Sequence, residues 1–183
     1  MLIVRLKFSL RWGAFGPGLT ALLFVSGAAA LAEPVFTPAA TEACVIEAEA
    51  TSPGLGGHGV LDCVGRAAGA CMMTPGGDTT LGMMDCLEGE RGYWDARLNI
   101  AYAGRIAAAQ ALDAETRTLG SAAASIEESL RAMQRAWISF RDAACLYEQA
   151  QWMGGTGGGP ATQACHMHET ARQALKLEGW WAQ

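Results

Sequence analysis

Seven apolar side chains between residues 125 and 147 constrain this chain more than any other feature. Ile126, Leu130, Met133, Trp137, Phe140, Ala144 and Tyr147 follow one another in steps of four and three, the spacing that sets them on one stripe of an α-helix. The opposite face is Glu, Arg, Gln and Asp. Ser125 and Glu128 have the spacing of a capping box, in which the two side chains satisfy each other's free backbone N–H groups. One helix cannot bury its own stripe, so neighbouring segments must bring apolar faces to it.

Two further long helices are predicted. One starts near residues 81–85, where Asp85 and Glu88 offer a second capping box, and carries Leu87, Trp94, Leu98, Ala101, Tyr102, Ile106, Ala109 and Leu112 on one stripe. Gly89, Gly92 and Gly104 weaken it by about 1 kcal/mol each relative to Ala, unless they mark close helix contacts. Residues 113–120 read as the turn or loosely helical bridge to the central helix. The last helix is capped by Thr162 and runs to about Glu178, with Met167, Ala171, Ala174 and Leu175 inward and Trp180 and Trp181 closing the chain. Ahead of these, residues 33–41 are an irregular lead-in. Residues 38–49 and 60–72 make two short helices around the turn TSPGLGGHG, with Val60, Val64, Ala67 and Cys71 on one face of the second. His58 has no acidic or nucleophilic neighbour and reads as a loop histidine. No stretch of the mature chain alternates with period two. The expected fold class is all-α: a small disulfide-stapled bundle of three main helices plus a short N-terminal helical hairpin.

The first 32 residues differ from the rest. Arg5, Lys7 and Arg11 precede an apolar stretch over residues 19–32 that ends Ala30-Leu31-Ala32, the pattern of a secretory signal. Cleavage is expected after Ala32; an uncleaved N-terminal anchor is the alternative, and the polar Thr41-Glu42-Ala43 ahead of Cys44 does not suit lipidation. No later run is long and uninterrupted enough to span a membrane. The domain division expected is 1–32 signal, 33–85 N-terminal extension and 86–183 main helical domain.

Residues 33–183 hold ten Lys and Arg against eighteen Asp and Glu, a formal charge of −8. That argues against nucleic acid as a partner, because phosphate binding relies on clustered cations, and it is compatible with a cationic protein partner. All six cysteines lie in this part, and an even number behind a secretory signal implies a disulfide framework. Cys145 ends the central helix and Cys165 begins the last, so the glycine-rich loop brings them together. Cys71 and Cys86 bracket the loop TPGGDTT, which leaves Cys44 for Cys63; two antiparallel long helices would also bring Cys86 near Cys145. A metal is not expected: there is no CxxC, and His166 and His168, about 200° apart around a helix, do not converge on one ion. No cofactor is expected either. The run GGTGGGP lacks a following Lys-Ser or Lys-Thr and a preceding strand, so it reads as a loop and not as a phosphate cradle.

Cys86, the segment WDARLNIAY at 94–102, MQRAWISFRDAAC at 133–145, the glycine run, and Cys165 with Thr170 and Arg172 together resemble the lysozyme inhibitor LprI-like family of secreted bacterial domains. The resemblance covers residues 86–177 and is most specific at Trp137-Ile138-Ser139-Phe140-Arg141-Asp142-Ala143-Ala144-Cys145. It implies a small exported helical domain held by disulfides, and an inhibitor of lysozyme. It also singles out polar residues inside the helices. Asp95, Asn99 and Tyr102 share one face of the first long helix; Gln134, Arg141 and Asp142 lie beside the stripe of the central one. They read as a structural network, with Arg141 reaching Asp95 and with Asn99 and Gln134 completing the hydrogen bonds, or as a recognition surface of Arg141, Asp142 and Trp137. Trp137, on the stripe, is expected in the core.

An enzyme is not expected. Carboxylates such as Glu88, Glu90 and Asp95 are ordinary on helix surfaces and define no glycosidase pair, and every Cys has a disulfide partner rather than a catalytic one. The expected function is an exported non-enzymatic binding protein, a lysozyme or cell-wall hydrolase inhibitor, with Gly154, Gly155, Thr156, Gly157, Gly158, Gly159 and Pro160 as the candidate partner loop. The rival is an envelope assembly module that binds another periplasmic protein without affecting lysozyme.

Overall fold

A computed structural model describes residues 33–51 and 58–179. The expected signal at 1–32, the centre of the glycine-rich turn at 52–57, and Trp180 and Trp181 lie outside the described residues. Within them the backbone forms six helical segments and no strand: α1 (Ala39–Thr51), α2 (His58–Leu61), α3 (Arg66–Met72), α4 (Thr80–Thr118), α5 (Ile126–Ala150) and α6 (Gly158–Glu178). No helix among the described residues is long and apolar enough to cross a membrane.

Helix α6 is the centre of the packing, broadly against α4 and less broadly against α5. The approach of Met84 to Gly159 at one end and the bond from Arg105 Nε to the Leu177 carbonyl (2.6 Å) at the other set α4 and α6 parallel. The Gln173–Gln134 bond and the Cys145–Cys165 bridge set α5 antiparallel to both. Met167, Ala171, Ala174 and Leu175 are all buried, as their spacing predicts, against Trp94 and Leu98 of α4. Arg97 closes the far end, its guanidinium bidentate on Glu178 (3.0 and 2.7 Å) and over the Trp94 ring.

The cysteines pair Cys44–Cys63, Cys71–Cys86 and Cys145–Cys165, as chain order implied; Cys86 does not go to Cys145. The first bridge joins α1 to the turn after α2, the second joins α3 to the first turns of α4, and the third ties the end of α5 to α6.

Several local expectations are corrected. Helix α4 starts at Thr80, not within 81–85, because Thr79 Oγ1 accepts the Gly82 N–H (3.0 Å) and caps it. Asp85 therefore lies inside the helix, Glu88 pairs with Arg91 one turn on, and the boundary expected between Asp85 and Cys86 falls within a continuous helix. Gly89 does mark a close contact, with the Phe36 ring, whereas Gly92 and Gly104 face open space. The short helix expected over 60–72 is broken into α2 and α3 at Gly65, whose φ of +94° suits glycine. Thr162 does not cap α6: the helix already begins at Gly158, and the Thr162 hydroxyl donates to the Gly158 carbonyl (2.8 Å).

The stripe of α5 is rotated from the expected one. Leu130, Met133 and Trp137 pack inward, but Ile126, Phe140 and Tyr147 are 45%, 61% and 65% exposed, while Gln134 and Cys145 are buried. Burying a Phe is worth about 1.5–3 kcal/mol. The geometry forgoes it because the disulfide and the Gln134–Gln173 bond both lie to one side of Trp137 and turn that side toward α6.

Helix α4 also runs through residues 113–118, the stretch read as a turn or a loosely helical bridge, and this puts Asp113 against the start of α5. Its carboxylate accepts from Ser125 Oγ (2.6 Å) and from the N–H groups of Ile126 (2.8 Å) and Glu127 (3.0 Å), while Ser125 Oγ accepts from Glu128 N (3.1 Å). The Ser125 cap is thus present, and Asp113, not Glu128, supplies the additional acceptors. The Ser125 hydroxyl first, then the two N–H groups, hold the Asp113 carboxyl below its ordinary range. Such a group contributes stability above its unfolded pKa of about 3.9, and the contribution is lost as pH falls through the lower folded value. Asp113→Asn is therefore expected to lower the urea midpoint at pH 6, and its deficit against wild type should shrink as the pH is taken below about 4. A deficit unchanged between the two pH values would show that the carboxylate charge is not what caps α5.

Candidate protein-binding site

The residues that were expected to form one network fall into separate pairs. Asn99 Nδ2 donates to Asp95 one turn before it (3.0 Å), on the exposed side of α4. Tyr102, half-buried, faces Arg131 of α5. Gln134 accepts from Gln173 (2.8 Å) in the buried α5–α6 interface. Arg141 does not reach Asp95: its guanidinium donates twice to neighbouring Asp142 (2.9 and 2.7 Å) and lies 5.0 Å over the Trp137 ring. The physical reason is placement, since α5 packs more broadly on α6 than on α4. The Asp142 end of this pair is open to solvent, and an ion pair between adjacent residues that reaches water contributes at most about 1 kcal/mol, so it contributes little to how the helices dock.

Trp137 is half-buried against the core and also lines a groove of about 380 Å³ with Glu169, Arg172, Gln173 and Lys176 of α6. A second groove, of about 280 Å³, lies where α4 and α5 run beyond the end of α6 and is mostly apolar, with Leu112, Ile126, Leu130 and Met133 in its walls. Of the two α6 histidines, His166 is held below its ordinary value by burial first and then by the Arg141 charge, and His168 by burial first and then by Arg172. Both are neutral at pH 7. Among the described residues no three His, Cys, Asp or Glu side chains stand close enough to hold a metal ion.

The candidate partner loop is shorter than its composition suggested. Gly158, Gly159 and Pro160 form the first turn of α6, where a proline's missing N–H has no partner to lose. The connection proper is residues 151–157. Gly154, Gly155 and Thr156 are exposed, and Gly157 underlies the Trp152 ring, where any Cβ would overlap it.

Two carboxylates with structural roles lie on the apolar stripe of α4 and were not singled out for them. Glu90 is fully buried and accepts from Thr41 Oγ1 (2.9 Å), Gly65 N (2.7 Å), Ala68 N (2.7 Å) and Trp94 Nε1 (3.1 Å). It stands three residues after Leu87 and four before Trp94; Asp113 stands four after Ala109. An acidic side chain in register with an apolar stripe was the available signal in both cases. Thr170, also fully buried, has a hydroxyl with no hydrogen-bond partner among the described residues.

The family model for lysozyme inhibitor LprI matches residues 71–177. The match starts earlier than the resemblance to the same family, which began at Cys86, and so takes in both halves of the Cys71–Cys86 bond as well as Cys145–Cys165. An uncharacterized 17.7 kDa protein of Rhodobacter capsulatus, from the puhA 5′ region, is 30% identical over 150 residues, 81% of this chain and 90% of its own length. An uncharacterized protein of Rhizobium meliloti strain 1021 is 30% identical over 122 residues, 65% of this chain and 88% of its own. No solved structure matches the chain.

Proposed function

Because this chain belongs to the LprI lysozyme inhibitor family, we propose that it is an exported, non-catalytic protein that binds another protein and blocks a lysozyme-type cell-wall hydrolase. The observation that carries this reading is the family match, which spans α4, α5 and α6 and the loop between the last two. Three closed disulfides support export to an oxidising compartment. The charge of −8 over residues 33–183 supports a cationic partner, since opposite net charges raise the encounter rate. The α5–α6 connection, residues 151–157, is the proposed contact element, and Trp137 with Arg141 and Asp142 is the alternative face.

Lysozyme lysis of a bacterial cell-wall suspension tests the reading. The oxidised mature protein is expected to slow lysis in a dose-dependent way, and the dose for half inhibition should rise about tenfold between low and high salt, as screening shortens from about 10 Å at 0.1 M to about 3 Å at 1 M. No inhibition at a large molar excess would overturn it for that lysozyme and favour an assembly module that binds another envelope protein.

A further inference from the structure

The α5–α6 connection presents a side chain that its glycines obscure in the sequence. Met153 is 93% exposed, more than any other large apolar side chain described, and is the only described non-glycine residue with positive φ, at +47°. That backbone costs about 1–2 kcal/mol for an L-residue. It is held by bonds from Met153 N to the Ala150 carbonyl (3.1 Å), Gly155 N to Trp152 (2.8 Å) and Gly158 N to Gly155 (3.0 Å), within the loop closed by Cys145–Cys165. Trp152 packs one face over Gly157 and leaves the rest of its ring outward, 51% exposed. Exposed Leu146 and Tyr147 precede it at the end of α5.

Charge is arranged around this corner rather than on it. No Asp, Glu, Lys or Arg lies between Glu148 and Glu169. Glu148 is exposed beside the loop, and exposed Asp85 follows Met84, whose sulfur packs on Gly159. Neither carboxylate is in an ion pair among the described residues.

We propose that the Trp152–Met153 corner, not the glycine run, is the element that enters a concave, apolar-walled site on a cationic protein, with Asp85 and Glu148 steering the approach. This deepens the binding reading above and rests on it. An uncharged tip enters a cleft without burying an unpaired charge, methionine and aromatics are enriched in interface cores, and a loop already fixed loses little freedom on binding. The acidic flanks act at encounter and the tip acts on residence time, so the two separate kinetically.

The experiment measures association and dissociation of hen-type lysozyme on the immobilised mature oxidised protein, at low and high salt. Met153→Asp and Met153→Gly are compared with wild type and with Leu119→Asp, which alters an exposed apolar residue (77%) at the C-cap of α4, ahead of the start of α5, a helix whose 25 residues put roughly 35 Å between its two ends. Met153→Gly relieves the backbone cost, so its effect is not one of misfolding. Both Met153 variants are expected to dissociate about tenfold faster or more, the range of an interface anchor, while Leu119→Asp matches wild type and salt changes mainly the association rate. Wild-type binding that the Met153 changes leave intact, or that Leu119→Asp weakens equally, overturns the corner but leaves the binding reading standing. No wild-type binding overturns both.

Discussion

Glu90→Ala is expected to cost about 3–5 kcal/mol of folding free energy, because it removes one acceptor shared by several buried donors. The substitution strands two backbone N–H groups at the start of α3 and the Trp94 indole N–H, and leaves the Thr41 hydroxyl only its longer bond to the Cys63 carbonyl (3.4 Å), with Thr41, Ala68 and Trp94 all buried. Each buried unsatisfied donor costs about 1–3 kcal/mol. The total stays below their sum because Gly65 is only half-buried and water can follow the carboxylate out. Against a total stability of about 5–15 kcal/mol for a domain, such a loss loosens α1 and α3 first, since Glu90 links both to α4. Glu90→Gln keeps an acceptor oxygen but turns an amide NH₂ toward one set of donors, so an intermediate cost of about 2 kcal/mol is expected. Urea unfolding followed by circular dichroism measures both. A cost for Glu90→Ala within about 1 kcal/mol of zero would mean that the four donors find other partners.

Replacing Cys145 and Cys165 together by Ala is expected to cost about 3 kcal/mol, the chain-entropy value for a closed loop of about twenty residues, the separation seen here. Removing Cys44 and Cys63, which close a loop of nearly the same length, should cost a similar amount. The two differ in function. The first frees the corner at Trp152 and Met153 from the end of α5, so lysozyme binding should weaken even at temperatures where the variant is fully folded. The second leaves that corner tied and should leave binding unchanged. Equal loss of binding in both would show that stability, not loop order, governs affinity.

Much of this follows from spacing along the chain. The long helices are visible because apolar side chains recur every three or four residues, and periodicity is a local property that survives without knowledge of neighbours. The inward side of α6 holds residue by residue for the same reason. The partners of the polar side chains were not visible in this way. Arg141 was expected to reach Asp95 because both flank apolar stripes, but which flanks meet depends on the rotation and height of each helix in a three-helix packing. Here α5 lies on α6, and Arg141 turns to Asp142 and Trp137. The candidate loop was read from its glycines; what it exposes is the methionine and tryptophan just before them.

The sequence by itself therefore determined a helical fold, the inward face of α6, the Ser125 cap and a framework of disulfides, because each depends on residues close in the chain or on the count of cysteines behind a secretory signal, while the pairing left open among Cys44, Cys63, Cys71 and Cys86 came from the structure. Only the tertiary structure decided that Phe140 and Tyr147 face solvent, that α3 starts afresh at Gly65, that Glu90 and Asp113 are acceptors for other helices, and that Met153 stands outermost. Those outcomes depend on which surfaces meet across distant segments, where a few kcal/mol of hydrogen bonding to a buried carboxylate or one disulfide outweighs the local preference for burying the next apolar side chain.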